Sequence, residues 1–175
     1  KQRGELRGGV VGTQMTNLAL EHALARLKIP FARAKVGDRY VLEMLMKRHW
    51  QLGGENSGHI ICLDKHTTGD GIVSALQVLS AIRSSGTTLA KLCEGLVLYP
   101  QELVNVRVPK GFDWQKQPEI GRAKEEAERA LGRNGRVLLR PSGTEPLLRV
   151  MVEGKDGAQV RRLAKKIAGA VHAGA

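Results

Sequence analysis

The residues best equipped for chemistry lie in "RPSGTEPLLR", Arg140 to Arg149, where two arginines bracket a serine, a threonine, a glycine and two prolines. Turn residues between two apolar runs must reverse the chain, so the stretch reads as a loop joining two strands. Gly143 permits the positive backbone dihedrals that aim successive amides at one point, and such a concavity of N–H groups takes up anions. Ser142 and Thr144 add hydroxyl donors. Arg140 and Arg149 offer planar, bidentate hydrogen bonding suited to phosphate oxygens. A phosphate group gripped at the end of a small sheet is the chemistry this composition describes. Glu145 opposes it unless its carboxylate turns away or pairs with an arginine. The plain alternative is a polar hairpin turn whose arginines reach into solvent.

A second constellation is "GGENSGHI", Gly53 to Ile60. Glu55, Ser57 and His59 recur at every second position, so an extended segment would point them the same way. A carboxylate suits neighbouring sugar hydroxyls, a serine can donate or accept beside it, and a histidine can move protons near neutral pH. The competing reading of His59 is a satisfied histidine at a strand start. A third, "AKVGDRYV", gathers Lys35, Asp38 and Arg39 where a strand gives way to a helix, the end of an α/β sheet at which ligands usually sit. Asp38 is also a plausible helix N-cap. "TTGDGI" invites a metal reading, but a single carboxylate makes a poor site for a hard cation, so Asp70 is expected to cap a helix.

Alternating elements must position these loops. "GGVVGT" reads as a strand. The helix after it carries Leu20, Leu24 and Leu27 on one stripe until Pro30. "FARAKV" is a strand, followed by a helix with Val41, Leu42, Leu45 and Met46 inward. "HIICLD" is strand-like, and Ile72, Leu76, Leu79 and Ile82 repeat at helical spacing behind Asp70. The pattern predicts a sheet covered by helices. Around Pro100, Pro109 and Pro118 the composition changes, and "ELVNVRV" alternates with period two. A second unit opens there: strand, helix (Ile120 to Leu131), turn, strand, the "PSGTEP" loop, strand and a last helix from Asp156. Val160, Leu163, Ala164, Ile167 and Val171 form that helix's inner stripe. A small sheet with helices on one face is the economical arrangement.

Composition narrows the function classes. A chain of 175 residues can hold one domain or two small ones. No apolar run approaches the roughly 20 residues that cross a bilayer, and the charged "KQRGELRGG" start lacks a signal-peptide core, which predicts a cytosolic protein. Cys62 and Cys93 lie in apolar surroundings without metal-ligand spacing and are expected to be buried thiols. The net charge of +11 asks for an anionic partner. Aromatic residues are only 3% of the chain, leaving few rings for base stacking, so a small anion is favoured over nucleic acid.

Taken together, "VVGTQMTNLALE", "AKVGDRYVLE", "GGENSGHIICLD", "TTGDGIVSALQVL", "LVNVRV" and "RPSGTEPLLRVMVEG" resemble, in order, the α-D-phosphohexomutase family, most closely its bacterial phosphoglucosamine mutase branch. The resemblance implies an α/β plus α+β chain. Residues 1–98 would be the third domain of that family, truncated at its N-terminus, with a mixed sheet covered by helices. Residues 99–175 would be its fourth, similar to the TATA-binding-protein fold. It also implies that Arg140, Ser142, Gly143, Thr144 and Arg149 hold the non-reacting phosphate and that Glu55, Ser57 and Arg39 contact substrate. Lys35, Asp38 and His59 then fall among substrate contacts or acid/base groups. "TQMTN" departs from the branch's "T-x-M-S-N", a change expected to affect helix capping.

The family's phosphoserine loop, T-A-S-H-N-P, and magnesium loop, D-G-D-G-D-R, are absent from the sequence. The resemblance therefore implies the C-terminal half of a larger cytoplasmic enzyme. Its magnesium ligands would lie elsewhere, it would use a hexose 1,6-bisphosphate as intermediate or activator, and it would feed UDP-N-acetylglucosamine and cell-wall synthesis. Implied partners are a hexosamine phosphate, the N-terminal half and, in the full-length enzyme, a homodimer mate. The chain alone is expected to lack mutase activity. Two alternatives stand beside this: phosphomannomutase or phosphoglucomutase chemistry, and a free-standing basic module that binds anions or RNA.

Overall fold

β-branched and small residues at Val10–Thr13 form strand β1, the centre of the first sheet in the computed structural model, which describes residues 4–175. The chain divides into two units, one running to Val97 and the other spanning Leu98–Ala175. In the first, helix α1 (Leu18–Arg26) leads to β2 (Phe31–Ala34) and helix α2 (Asp38–Arg48) to β3 (Leu52–Gly54). Both strands lie parallel to β1, on opposite sides of it, and β4 (Ile60–Cys62) runs antiparallel on β3, giving the order β2-β1-β3-β4. Parallel neighbours need a crossover, and the two helices supply it. The turns after β1, β2 and β3 therefore share one edge of the sheet. Val11, Ala34, Val41, Leu45 and Ile61 make the core. Helices α3 (Gly71–Ser85) and α4 (Leu89–Leu92) follow.

The second unit contains β5 (Gln101–Arg107), α5 (Pro118–Leu131), β6 (Gly135–Pro141), β7 (Leu147–Gly154) and α6 (Gly157–Gly174). β7 lies between the other two strands and is antiparallel to both. Strand alternation sends Val106, Leu139, Val150 and Val152 into one core with Ile120 of α5 and Ile167 of α6. The same alternation gives the opposite face Arg136, Leu138 and Arg140 of β6 and, in register with them, Glu153, Met151 and Arg149 of β7. The mixed α/β architecture and the single helix-covered face of the second sheet agree with the sequence pattern.

Several sequence expectations are corrected. In α1 the buried residues are Leu18, Ala19 and Leu24, while Leu27 lies past the helix end and is exposed. Met46 is exposed because Val41 and Leu45, four apart, define the inward line of α2, which a residue one step further leaves by about 100°. Gly37 precedes α2 as its N-cap at φ +125°, a dihedral that glycine alone tolerates. Asp38 is thus the first helical residue, and its Oδ1 accepts the Arg39 amide at 2.7 Å. The α3 stripe of Ile72, Leu76 and Leu79 is exposed. The half-buried side of that helix instead carries Ser74, Gln77, Val78 and Ala81, and the Ser74 hydroxyl donates to the Ile60 carbonyl at 3.2 Å, so a mixed rather than an apolar face turns towards β4. Asp70 does cap α3, accepting the Val73 amide at 2.8 Å. At α1 the cap is Asn17, while the Thr16 hydroxyl accepts the Thr13 amide and closes the preceding turn. Cys62 is half-buried and Cys93 exposed, so neither is the buried thiol expected.

Candidate functional site

Two loop groups carry the polar chemistry, one in each unit. In the first unit, residues 55–59 join antiparallel β3 and β4 as a tight turn. The Glu55 amide donates to the His59 carbonyl at 3.1 Å, and Gly58 takes φ +94°. The segment is not extended, contrary to the alternation argument. Its three side chains converge because the turn folds them together. Ser57 Oγ donates to Glu55 Oε1 at 2.7 Å and lies 2.7 Å from His59 Nδ1. The Glu55 side chain is only 11% exposed against 49% for His59. Its other oxygen, Oε2, accepts the Gly37 amide at 3.0 Å, tying this turn to the start of α2.

Neighbouring segments hold the same edge in place. Asn56 Nδ2 donates to the Met15 carbonyl at 3.2 Å, joining the turn after β3 to the turn after β1. Arg33 of β2 donates to the Thr13 and Thr16 carbonyls at 3.0 and 2.6 Å while pairing with Glu21. Sequence reasoning missed Gly37 as the anchor of Glu55, although its place between a strand and a helix was a signal. It also missed Gly69. A Cβ there would stand 2.8 Å from His59 Cβ and 3.1 Å from its Cα, so the glycine before Asp70 leaves room for the histidine.

The charged side chains of the turn after β2 do not join this group. Lys35 Nζ lies over the Tyr40 ring, 5.8 Å from its centroid. Arg39 runs along α2, its Nε donating to Glu43 Oε1 at 2.8 Å, and that carboxylate pushes the Arg39 pKa further up. Asp38 holds its own helix start.

In the second unit, residues 142–146 join β6 to β7, closed by the Ser142 amide donating to the Leu147 carbonyl at 2.8 Å. Gly143 does not take a positive φ, which corrects the argument for a left-handed glycine. What it leaves is space, since a Cβ there would meet nothing within 4 Å. Among the described residues, no protein acceptor takes the Gly143 or Thr144 amide. Arg140 and Arg149 are register partners across the hairpin. Arg149 Nη2 donates to Ser142 Oγ at 3.4 Å and stands 3.8 Å from Glu145 Oε2, so the acidic residue is paired with an arginine. Its Nε is buried without a partner, and the guanidinium of Arg140, a half-buried residue, has none among the described residues. A cavity of about 450 Å³ adjoins the loop, lined by Val108–Phe112 and Pro141–Leu147 but not by either arginine. Loose cationic donors beside unclaimed amides make this the anion-ready part of the chain.

Among the described residues, no three His, Cys, Asp or Glu side chains gather as a metal site requires. No helix among them is long and apolar enough to cross a membrane.

Residues 1–99 match the family profile "Phosphoglucomutase/phosphomannomutase, alpha/beta/alpha domain III", and residues 103–170 match "Phosphoglucomutase/phosphomannomutase, C-terminal domain". A phosphoglucosamine mutase of Nitrosospira multiformis is 67% identical over 168 residues, covering 96% of this chain and 36% of that protein. One from Aromatoleum aromaticum is 66% identical over 163 residues, covering 93% of this chain and 36% of that protein. The chain thus spans little more than a third of these relatives' length. Among solved structures, Aspergillus fumigatus N-acetylphosphoglucosamine mutase, in complex with GlcNAc-6P and magnesium, matches with TM-score 0.76 at 23% identity, over 95% of this chain and 42% of that one. A Burkholderia thailandensis phosphoglucomutase/phosphomannomutase family protein matches with TM-score 0.69 at 18% identity, over 95% and 38%. Likeness at that identity speaks for the fold.

Proposed function

This chain belongs to the phosphoglucomutase/phosphomannomutase family, and from that premise we propose that it is the C-terminal part of a phosphoglucosamine mutase, an isomerase interconverting glucosamine 6-phosphate and glucosamine 1-phosphate in the cytoplasm. The observation that carries this is the pair of half-buried arginines, Arg140 and Arg149, opposed in register beside a loop with two amides that no acceptor among the described residues takes. Relatives named phosphoglucosamine mutase at 67% and 66% identity support the amino sugar as substrate. The second unit, three antiparallel strands with both helices on one face, is assigned to the TATA-binding-protein-like domain.

In this reading Arg140, Ser142, Gly143, Thr144 and Arg149 hold the phosphate that is not being transferred. Glu55 and Ser57 take the sugar hydroxyls, and His59 moves the proton of the reacting hydroxyl. Lys35, Asp38 and Arg39 line the rim. A phosphoserine in a part of the enzyme outside this chain passes its phosphoryl group to the free sugar hydroxyl. The resulting 1,6-bisphosphate returns its other phosphate to that serine. Transfer of this kind depends on position and electrostatics, which is what a rigid remote grip supplies. Among the described residues none gather as a magnesium site requires. The ion, which would neutralise charge on the transferring group, is assigned to the N-terminal half, as is the contact that completes the active site. A homodimer is the assembly assigned to the complete enzyme.

Titration of the isotope-labelled chain with glucosamine 6-phosphate tests the reading. Shifts should concentrate at Glu55–His59 and Arg140–Arg149, and shifts confined elsewhere would sink it. The chain alone should show no mutase activity. The longer enzyme should prefer glucosamine 6-phosphate over the glucose and mannose esters in kcat/KM.

A further inference from the structure

The hydrogens of the Glu55–Ser57–His59 cluster can be placed by counting donors. Ser57 has one O–H, and it goes to Glu55 Oε1 at 2.7 Å, because an ionised carboxylate can only accept. Ser57 Oγ also lies 2.7 Å from His59 Nδ1. With its single hydrogen committed, the hydroxyl can only accept there, so Nδ1 must carry the hydrogen. The direct Glu55 to His59 separation is 3.7 Å, too long for a hydrogen bond, and the link therefore runs through the hydroxyl. Both ends of this chain are fixed. The Gly37 amide holds Glu55 Oε2, and Gly69 leaves no slack behind His59.

We propose that Ser57 is a positioning residue that fixes His59 in its Nδ1–H form, leaving Nε2 as the ring atom offered to the sugar as proton acceptor. This rests on the reading of residues 55–59 as the sugar loop and gives the serine a task besides touching sugar. The arrangement survives sugar binding. A carboxylate has about four acceptor positions, and Ser57 and Gly37 occupy two, so a sugar hydroxyl can add to Glu55 without displacing the serine.

Nitrogen-15 NMR of the imidazoles, recorded where the ring is neutral and without ligand, is the test. His59 should show a protonated Nδ1 and an unprotonated Nε2. Ser57→Ala should shift it towards the Nε2–H form, and Ser57→Thr, which restores a hydroxyl, should return the Nδ1–H signature. A wild-type His59 already in the Nε2–H form overturns the proposal, as does an Nδ1–H signature that survives in Ser57→Ala. If Ser57→Ala does not fold, the wild-type spectrum and Ser57→Thr still decide. Adding glucosamine 6-phosphate separates the two claims. An Nδ1–H His59 that the sugar ester leaves unperturbed keeps the serine's role but removes the sugar reading.

Discussion

Arg140 and Arg149 stand directly opposite each other in the β6–β7 register, two positive charges where cross-strand neighbours usually complement. On the same face, four residues along each strand, Arg136 meets Glu153 and the pairing is matched. One strand pair thus holds a matched ion pair at one end and, at the other, two facing arginines of which Arg149 has only the long contacts to Ser142 and Glu145. Like charges directly opposite weaken a sheet, and an anion between them would remove the penalty.

Arg149→Met keeps the stem and deletes the guanidinium. Without ligand its stability should lie within about 1 kcal/mol of wild type, the scale of a single cross-strand pair. Wild type should gain about 2.7 kcal/mol from glucosamine 6-phosphate at a hundred times its Kd, and the variant should gain far less. Thermal unfolding with and without the ester, at fixed ionic strength, measures both. An equal gain in the two proteins would take Arg149 out of the site.

Arg136→Met should behave oppositely. It leaves Glu153, fully buried at 0% exposure, without its guanidinium partner. Breaking such a pair costs about 3–5 kcal/mol. Urea unfolding should show a loss of at least about 3 kcal/mol, several times that of Arg140→Met, with no dependence on sugar phosphate.

Gly69→Ala should displace His59, since the added Cβ would fall 2.8 Å from the histidine Cβ. Shifts of about 1 Å at a positioned group can lower rates by about a hundredfold, so kcat/KM of the longer enzyme should fall at least about tenfold. Gly71→Ala meets nothing within 4 Å and serves as the silent control. Equal activity of the two variants would show that His59 tolerates displacement.

The two thiols should label at different rates. Burial, with Asp64 nearby, pushes the Cys62 thiol pKa up, which lowers its thiolate fraction at neutral pH. Cys93 is exposed. Iodoacetamide at pH 7 should modify Cys93 first, and raising the pH should narrow the gap as Cys62 ionises. Mass spectrometry of timed digests reads the order, and earlier labelling of Cys62 would contradict it.

Much of this was legible in residue order. Period-two alternation marked β5, and the stripe of Val160, Leu163, Ala164, Ile167 and Val171 is buried in α6 as read. Asp70 announced its helix. Less legible was which side of a helix turns inward when its apolar stripe does not. α3 exposes its apolar Ile72–Leu76–Leu79 stripe, and its half-buried side carries Ser74, Gln77, Val78 and Ala81, a mixed face that apolar periodicity does not select. Glycines also misled. Gly143 leaves space rather than adopting a left-handed dihedral, whereas Gly37, passed over, takes one at φ +125°.

The sequence by itself determined which groups exist: a carboxylate, hydroxyl and imidazole within five residues, two arginines around a polar loop, and the alternation that builds a sheet beneath helices. Those are local properties, set by residue type and spacing along one chain. Only the tertiary structure decided that the Gly37 amide holds Glu55, that Ser57 joins Glu55 to His59, and that Arg140 opposes Arg149 while Arg136 finds Glu153. Each of these is a meeting of residues from separate turns or strands, or of side chains that a turn folds together. A hydrogen bond forms or fails within a few tenths of an ångström, a distance fixed by turn geometry and strand register rather than by spacing along the chain.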